Sequence, residues 1–140
     1  AAVGKQLDIH ERWIGRGTKI IDAAGRIALP GFVDSHTHPV FMNTREQEFE
    51  MRLQGKSYED IAAAGGGIRS SIQAVRKASK EELLKRVLLR MDRFLELGTT
   101  TVEAKSGYGL SYESEIKSLE VLKEADRTHP MTIVPTFLGA

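Results

Sequence analysis

Apolar and polar positions along the chain switch between a short, strand-like pattern and a helical period, and these switches outline the elements. Residues 18–22, TKIID, carry β-branched side chains, and Ala23, Ala24 and Gly25 form a turn before an extended segment over 26–29, which predicts a hairpin. Pro30 and Gly31 interrupt the chain, and the apolar run behind them predicts a strand over 31–35. SYEDIAAA predicts a short helix with Ser57 as N-cap, and Gly65, Gly66 and Gly67 favour an irregular loop before a second helix over 68–78. The strongest helix follows: Ser79 and Glu82 have the spacing of a capping box, Leu84, Val87, Leu88, Met91 and Leu95 form an apolar stripe, and Gly98 ends it. TTTVEA, 99–104, predicts a strand and GYGL a loop. A helix over 112–127 with Ile116, Leu119 and Leu122 on one face and a strand over 131–137 complete the series.

Strand, helices, strand, helix, strand is the order of parallel βα units, so the fold class is α/β. Three strands of barrel type cannot close a (β/α)8 sheet, which takes eight strands and typically about 250 residues. The expected architecture is therefore a partial TIM-like (β/α)8 barrel, about its first three strands, over residues 30–140. Residues 1–29 read as a β-rich segment, a remnant of a small β-sandwich domain. The chain lacks an initiator Met and ends on Phe137, Leu138, Gly139 and Ala140 directly after an apolar strand, so it reads as a fragment at both ends.

Composition narrows the function classes. With 41% hydrophobic and 28% charged residues the chain can bury a core, which excludes a disordered tail. Twenty basic against nineteen acidic residues give no net field for nucleic acid or an anionic membrane. The absence of cysteine removes disulfides and every thiolate metal site, so any metal must be held by imidazole and carboxylate, and it fits a reducing cytoplasm. AAVGKQLDIHERW is not a secretory signal, and no run approaches the roughly 18 apolar residues of a membrane span.

The candidate chemistry lies at HTH. Along a strand, side chains two apart share a face, so Asp34, His36 and His38 are expected to project together while Val33, Ser35 and Thr37 point away. Such a pair at the carboxyl end of a βα strand falls on the face where these folds carry their active sites. Two imidazoles without cysteine suit zinc, iron or manganese better than magnesium or calcium. The bare H-x-H pattern arises by chance too readily to carry the assignment alone, but its setting behind a Pro-Gly turn and an apolar strand, beside Asp34 as an acceptor for an imidazole N–H, strengthens it. His129, ahead of Pro130, is expected at the amino end of the last strand in a structural role, and His10 is expected exposed.

Around these histidines, IDAAGRIALPGFVDSHTH resembles the first barrel strand of the amidohydrolase superfamily. HTHPVF, Arg45 with EQEFEMRLQGKSY, AAAGGGI and TTTVEAKSGYGL together are similar to the imidazolonepropionase family of histidine degradation, over roughly residues 18 to 140. The resemblance implies a metal-dependent hydrolase that opens the ring amide of 4-imidazolone-5-propanoate to N-formimidoyl-L-glutamate, with one metal ion, zinc or iron. By motif, it makes His36 and His38 metal ligands and Arg45 and Tyr108 substrate-binding residues, with Tyr58 a weaker match near the same site. A later His and Asp ligand, a substrate-contacting His directly after Gly139 and Ala140, and the general base are all expected outside these 140 residues. A homodimer is compatible with it.

Elementary chemistry agrees with those roles. A metal held by imidazoles brings the pKa of bound water down to about 7 and polarises a carbonyl. A guanidinium at Arg45 matches a propionate carboxylate. Against these stand plain alternatives: a solvated surface Arg and a loop Tyr packed for its ring area. Lys105 is expected in a structural or at most substrate-side role, since the metal-bridging lysine of binuclear amidohydrolases belongs to a fourth strand, and Glu103 is assigned no proton-transfer role. The glycine run is not followed by Gly-Lys-Ser/Thr, which argues against a phosphate cradle. Two other readings stay open: another cyclic amidohydrolase or deaminase, and a catalytically incompetent fragment that contributes only part of a metal site.

Overall fold

Local signals set most element ends in the computed structural model, which describes residues 3–139. Ala140, second of the Gly-Ala pair named above, lies outside the described residues, as do Ala1 and Ala2. The chain divides into two units, Ala1–Pro30 and Gly31–Ala140.

In the first unit, α1 (Gln6–Trp13) was not anticipated from the sequence. The expected hairpin is formed only at its turn. Ala24 and Gly25 both have positive φ, 48° and 79°, the Arg26 N–H donates to the Ala23 carbonyl at 2.9 Å, and the Asp22 carboxylate accepts from the Ala24 N–H at 2.8 Å. No ladder joins 18–22 to 26–29. An isolated two-stranded ribbon is marginal in water, and Ile20, Ile21, Ile27 and Leu29 are exposed, so nothing offsets the cost of ordering the strands.

The second unit is a three-stranded parallel sheet in the order β1 (Phe32–Thr37), β2 (Thr99–Lys105), β3 (Thr132–Thr136). The β1-to-β2 crossover carries α2 (Glu46–Leu53), α3 (Tyr58–Ala63), α4 (Ile68–Lys77) and α5 (Lys80–Glu96); α6 (Tyr112–Thr128) joins β2 to β3. Capping boxes start α3 at Ser57 with Asp60 and α5 at Ser79 with Glu82, each supplying partners to amides that the helix leaves free. The C-terminal carbonyls of α4 are met from a distance, since Lys117 Nζ donates to Val75, Arg76 and Ala78 at 2.9, 3.1 and 2.7 Å. Helix α2 was unexpected.

Helices α5 and α6 pack on each other and on one sheet face, enclosing Leu83, Val87, Met91, Val102, Ala104, Leu122 and Ala125 with no exposed surface. The buried row of α5 is thus Leu83, Val87 and Met91; Leu84 and Leu88 flank it and Leu95 is 37% exposed. On α6, Ser114, Ser118, Val121, Leu122 and Ala125 are buried, whereas Ile116 and Leu119 are only half-buried, because small side chains bring α6 close to its neighbours along a face one step round from the expected one. Leu83→Ala should therefore lower stability by about 2–5 kcal/mol, and Leu95→Ala by less than about 1 kcal/mol, in urea unfolding. Equal losses would contradict this placement.

Candidate active site at the carboxyl ends of the strands

Parallel pairing sends all three carboxyl ends to one edge of the sheet, and the candidate residues gather there. The β1 strand does not run in simple alternation. Asp34 pairs with Val102 and Thr37 with Ala104, three steps on one strand against two on the other, so a bulge carries Ser35 and His36. Thr37 is turned inward, 7% exposed, with its Oγ1–H donating to the Glu103 carbonyl at 2.6 Å. His36 stays exposed and His38, just past the strand, is half-buried. Their ring centres nevertheless lie 5.3 Å apart with planes tilted by 59°. Asp34 differs from expectation: its carboxylate accepts from the backbone N–H of His36 at 3.2 Å, bracing the bulge rather than an imidazole.

The ring spacing suits one ion. Two imidazoles bound at about 2.0–2.1 Å to a tetrahedral ion have centres about 5 Å apart. Burial, then the neighbouring His36 and Lys105, holds His38 below its ordinary pKa, which leaves a neutral ring with a lone pair to offer. Among the described residues no group of three or more His, Asp or Glu converges, so the pair could offer two donors, fewer than a metal site takes.

The loop behind His38 is fixed by Arg90 of α5. Its Nη1 donates to the Pro39 carbonyl at 2.9 Å, and its Cζ lies 3.4 Å from the centre of the Phe41 ring. Burial, with repulsion from Arg86, lowers the guanidinium to about 10, so it stays charged at neutral pH. Arg45 follows at the start of α2, its Nε donating to Glu48 Oε2 at 2.9 Å.

Tyr108 stands on the loop after β2, its ring centre 5.8 Å from that of His38. That loop is clamped from both sides. Arg76 Nε and Nη2 donate to the Gly109 and Leu110 carbonyls at 2.7 and 2.6 Å, and buried Glu115 Oε1 accepts from their N–H groups at 2.8 and 2.9 Å. Gly109 lies so close to α6 that a Cβ would stand 2.5 Å from the Ser114 Cβ, a physical reason for the second glycine of SGYGL. Ser106 links the loop to the third strand and the segment after it, its N–H donating to the Thr136 carbonyl at 3.0 Å and its Oγ accepting from the Leu138 N–H at 3.1 Å.

Arg45 and Tyr108 line one cavity of about 480 Å³, walled also by Phe41, Phe49, Asn43 and Ser71. The histidines lie outside its wall; Tyr108, whose ring stands beside that of His38, and Phe41, which lines a neighbouring cavity with His38, border both regions. Tyr58 is exposed on α3, with its hydroxyl beside Gly67. Lys105 and Glu103 form an ion pair at 2.5 Å on the sheet face near His38. Burial is the largest single influence on the Glu103 carboxyl and pulls it upward, but hydrogen bonds from Lys105, Thr136 and Thr37 and the Lys105 charge together outweigh it and keep the group below the ordinary carboxylate range. His129 lies at the amino end of β3, its Nδ1 accepting from the Met131 N–H at 3.2 Å, and His10 is exposed on α1. Sequence reasoning missed Arg90, Arg76, Glu115 and Glu48. Arg90, Arg76 and the Glu48–Gly67 bond act across 51, 33 or more and 19 residues, and Glu115 braces an irregular loop, so only a charged residue on a partly apolar helix face marked them.

Comparison with known proteins agrees with the resemblance read from the motifs. No family model matches the chain. It is 50% identical over 142 residues to an imidazolonepropionase of Geobacillus sp. (strain WCH70), covering all of this chain and 34% of that protein. It is 52% identical over 126 residues to one from Symbiobacterium thermophilum (90% of this chain, 30% of the relative), and 48% identical over 141 residues to one from Haloarcula marismortui (100% and 34%). The chain spans about a third of the length of the curated relatives it matches. Among the described residues no helix is long and apolar enough to cross a membrane.

Proposed function

We propose that this chain is part of a metal-dependent hydrolase that opens the ring amide C–N bond of 4-imidazolone-5-propanoate, giving N-formimidoyl-L-glutamate in cytoplasmic histidine degradation. In this reading residues 30–140 supply about three strands of a (β/α)8 barrel, and residues 1–29 belong to a small β-rich domain. The observation that carries it is the cavity shared by Arg45 and Tyr108, joined to the histidine pair through the Tyr108 ring. The identity to enzymes of that name supports it.

Each side chain then has a task. His36 and His38 would hold a zinc or iron ion, whose chemistry is the activation of water and the polarisation of the ring carbonyl. Arg45 pairs with the propionate carboxylate and fixes the ring's orientation. Tyr108 spans the distance from that anchor to the histidines, and Tyr58, exposed with its hydroxyl beside Gly67, is a neighbour of Arg45 at the same mouth. The two-donor set favours a second statement: the 140 residues alone form part of a metal site and do not turn over substrate.

Product analysis tests the reaction. The full-length enzyme, given 4-imidazolone-5-propanoate, should yield N-formimidoyl-L-glutamate by mass spectrometry. An intact ring would overturn the reading, and efficient opening of an unrelated cyclic amide in its place would favour a different amidohydrolase or a deaminase.

A further inference from the structure

We propose that Glu48 is the positioning residue that sets the Arg45 guanidinium for a carboxylate-bearing substrate and ties the glycine loop at 65–67 to that site. This rests on the role given to Arg45 above. Glu48 lies three residues after Arg45, and its side chain is 14% exposed against 45% for Arg45. Oxygen Oε2 accepts from Arg45 Nε at 2.9 Å and lies 2.6 Å from Nη2. Oxygen Oε1 accepts from the Gly67 N–H at 2.7 Å, across 19 residues of chain. A solvated helix pair needs no such second bond. Here the carboxylate is fixed at both oxygens, so the guanidinium it holds is fixed as well.

The glycines answer to the same arrangement. Gly67 has φ 81° and ψ −168°, a region open essentially to glycine alone, and its N–H donates to Glu48 in that conformation. A Cβ on Gly66 would stand 2.9 Å from the Ile61 side chain and 3.2 Å from Glu48 Oε1. The glycine run, which lacks the residues of a phosphate cradle, thus supplies a backbone donor that braces Glu48. With Nε and one side of Nη2 engaged, Nη1 and the remaining Nη2 hydrogen are left for an incoming carboxylate. Holding the guanidinium before substrate arrives removes rotamer freedom that binding would otherwise have to remove.

The test uses the full-length enzyme with 4-imidazolone-5-propanoate and with an analogue lacking the propionate carboxylate. Glu48→Gln should raise KM for the acid about tenfold with kcat within about twofold, leave the analogue unchanged, and add nothing to Arg45→Ala. In Glu48→Ala the Gly67 amide should exchange its hydrogen faster than in the parent enzyme. An unchanged or lowered KM in Glu48→Gln, equal losses on both substrates, or unaltered Gly67 exchange would each overturn the proposal. Arg45→Ala separates the two levels. If it leaves discrimination between the substrates intact, the carboxylate role itself fails; if it abolishes discrimination while Glu48→Gln does not weaken it, only the Glu48 role fails.

Discussion

Replacing His38 by alanine in the full-length enzyme is expected to lower turnover by more than about 100-fold and to weaken zinc binding by a similar factor, since even groups that only support a metal ligand typically contribute about 10–100-fold. His38 is the better buried of the pair, its ring faces both His36 and Tyr108, and its loop is pinned by the Arg90 bond to the Pro39 carbonyl. On the proposed reading, loss of this imidazole removes one of the two donors and the ring that faces Tyr108 together. Zinc competition against a chromogenic chelator, measured beside kcat, reads both effects. Full zinc affinity with lost turnover would move His38 from metal ligand to a different task, and wild-type behaviour in both would remove it from the site.

The second large effect is expected from Arg45→Ala, as a loss of about 30-fold in kcat/KM for the carboxylate substrate. Truncating one member of a buried charge pair costs about 2–5 kcal/mol, and the partial exposure of Arg45 puts the lower end of that range in force. The analogue without the carboxylate should lose less than about threefold, because it never formed the pair. Arg45→Lys should fall between, since an ammonium keeps the charge and loses the planar fork. Steady-state kinetics on the two substrates decide it, and equal losses on both would exclude the carboxylate contact.

What was legible in the sequence was what local rules decide. The N-cap at Ser57, the capping box at Ser79, the helices they start, and the three strands and their parallel order all follow from spacing and alternation within a few residues. The ladder expected across 18–29 required a second surface to pack on, and a turn sequence does not reveal whether one exists. On α5 the expected stripe held Val87 and Met91 in the core but omitted Leu83 and included the exposed Leu95, because Leu83, Leu84, Val87 and Leu88 all satisfy a helical period and only the neighbouring elements choose among them. At the site, Arg45 and Tyr108 were legible through their motifs, and the structure brings them to one cavity. The bulge at His36 was not, since a register shift depends on the partner strand. Arg90 and Arg76 were invisible for a related reason: their partners lie 51 and 33 or more residues away, where no spacing rule reaches.

The most direct measurement is turnover of 4-imidazolone-5-propanoate by the full-length enzyme before chelation, after it, and after return of zinc or iron(II). Ring opening to N-formimidoyl-L-glutamate should cease on chelation and recover with metal in the parent enzyme, and should fail to recover in His38→Ala. Undiminished turnover by the chelated, metal-free enzyme would contradict the site built on His36 and His38.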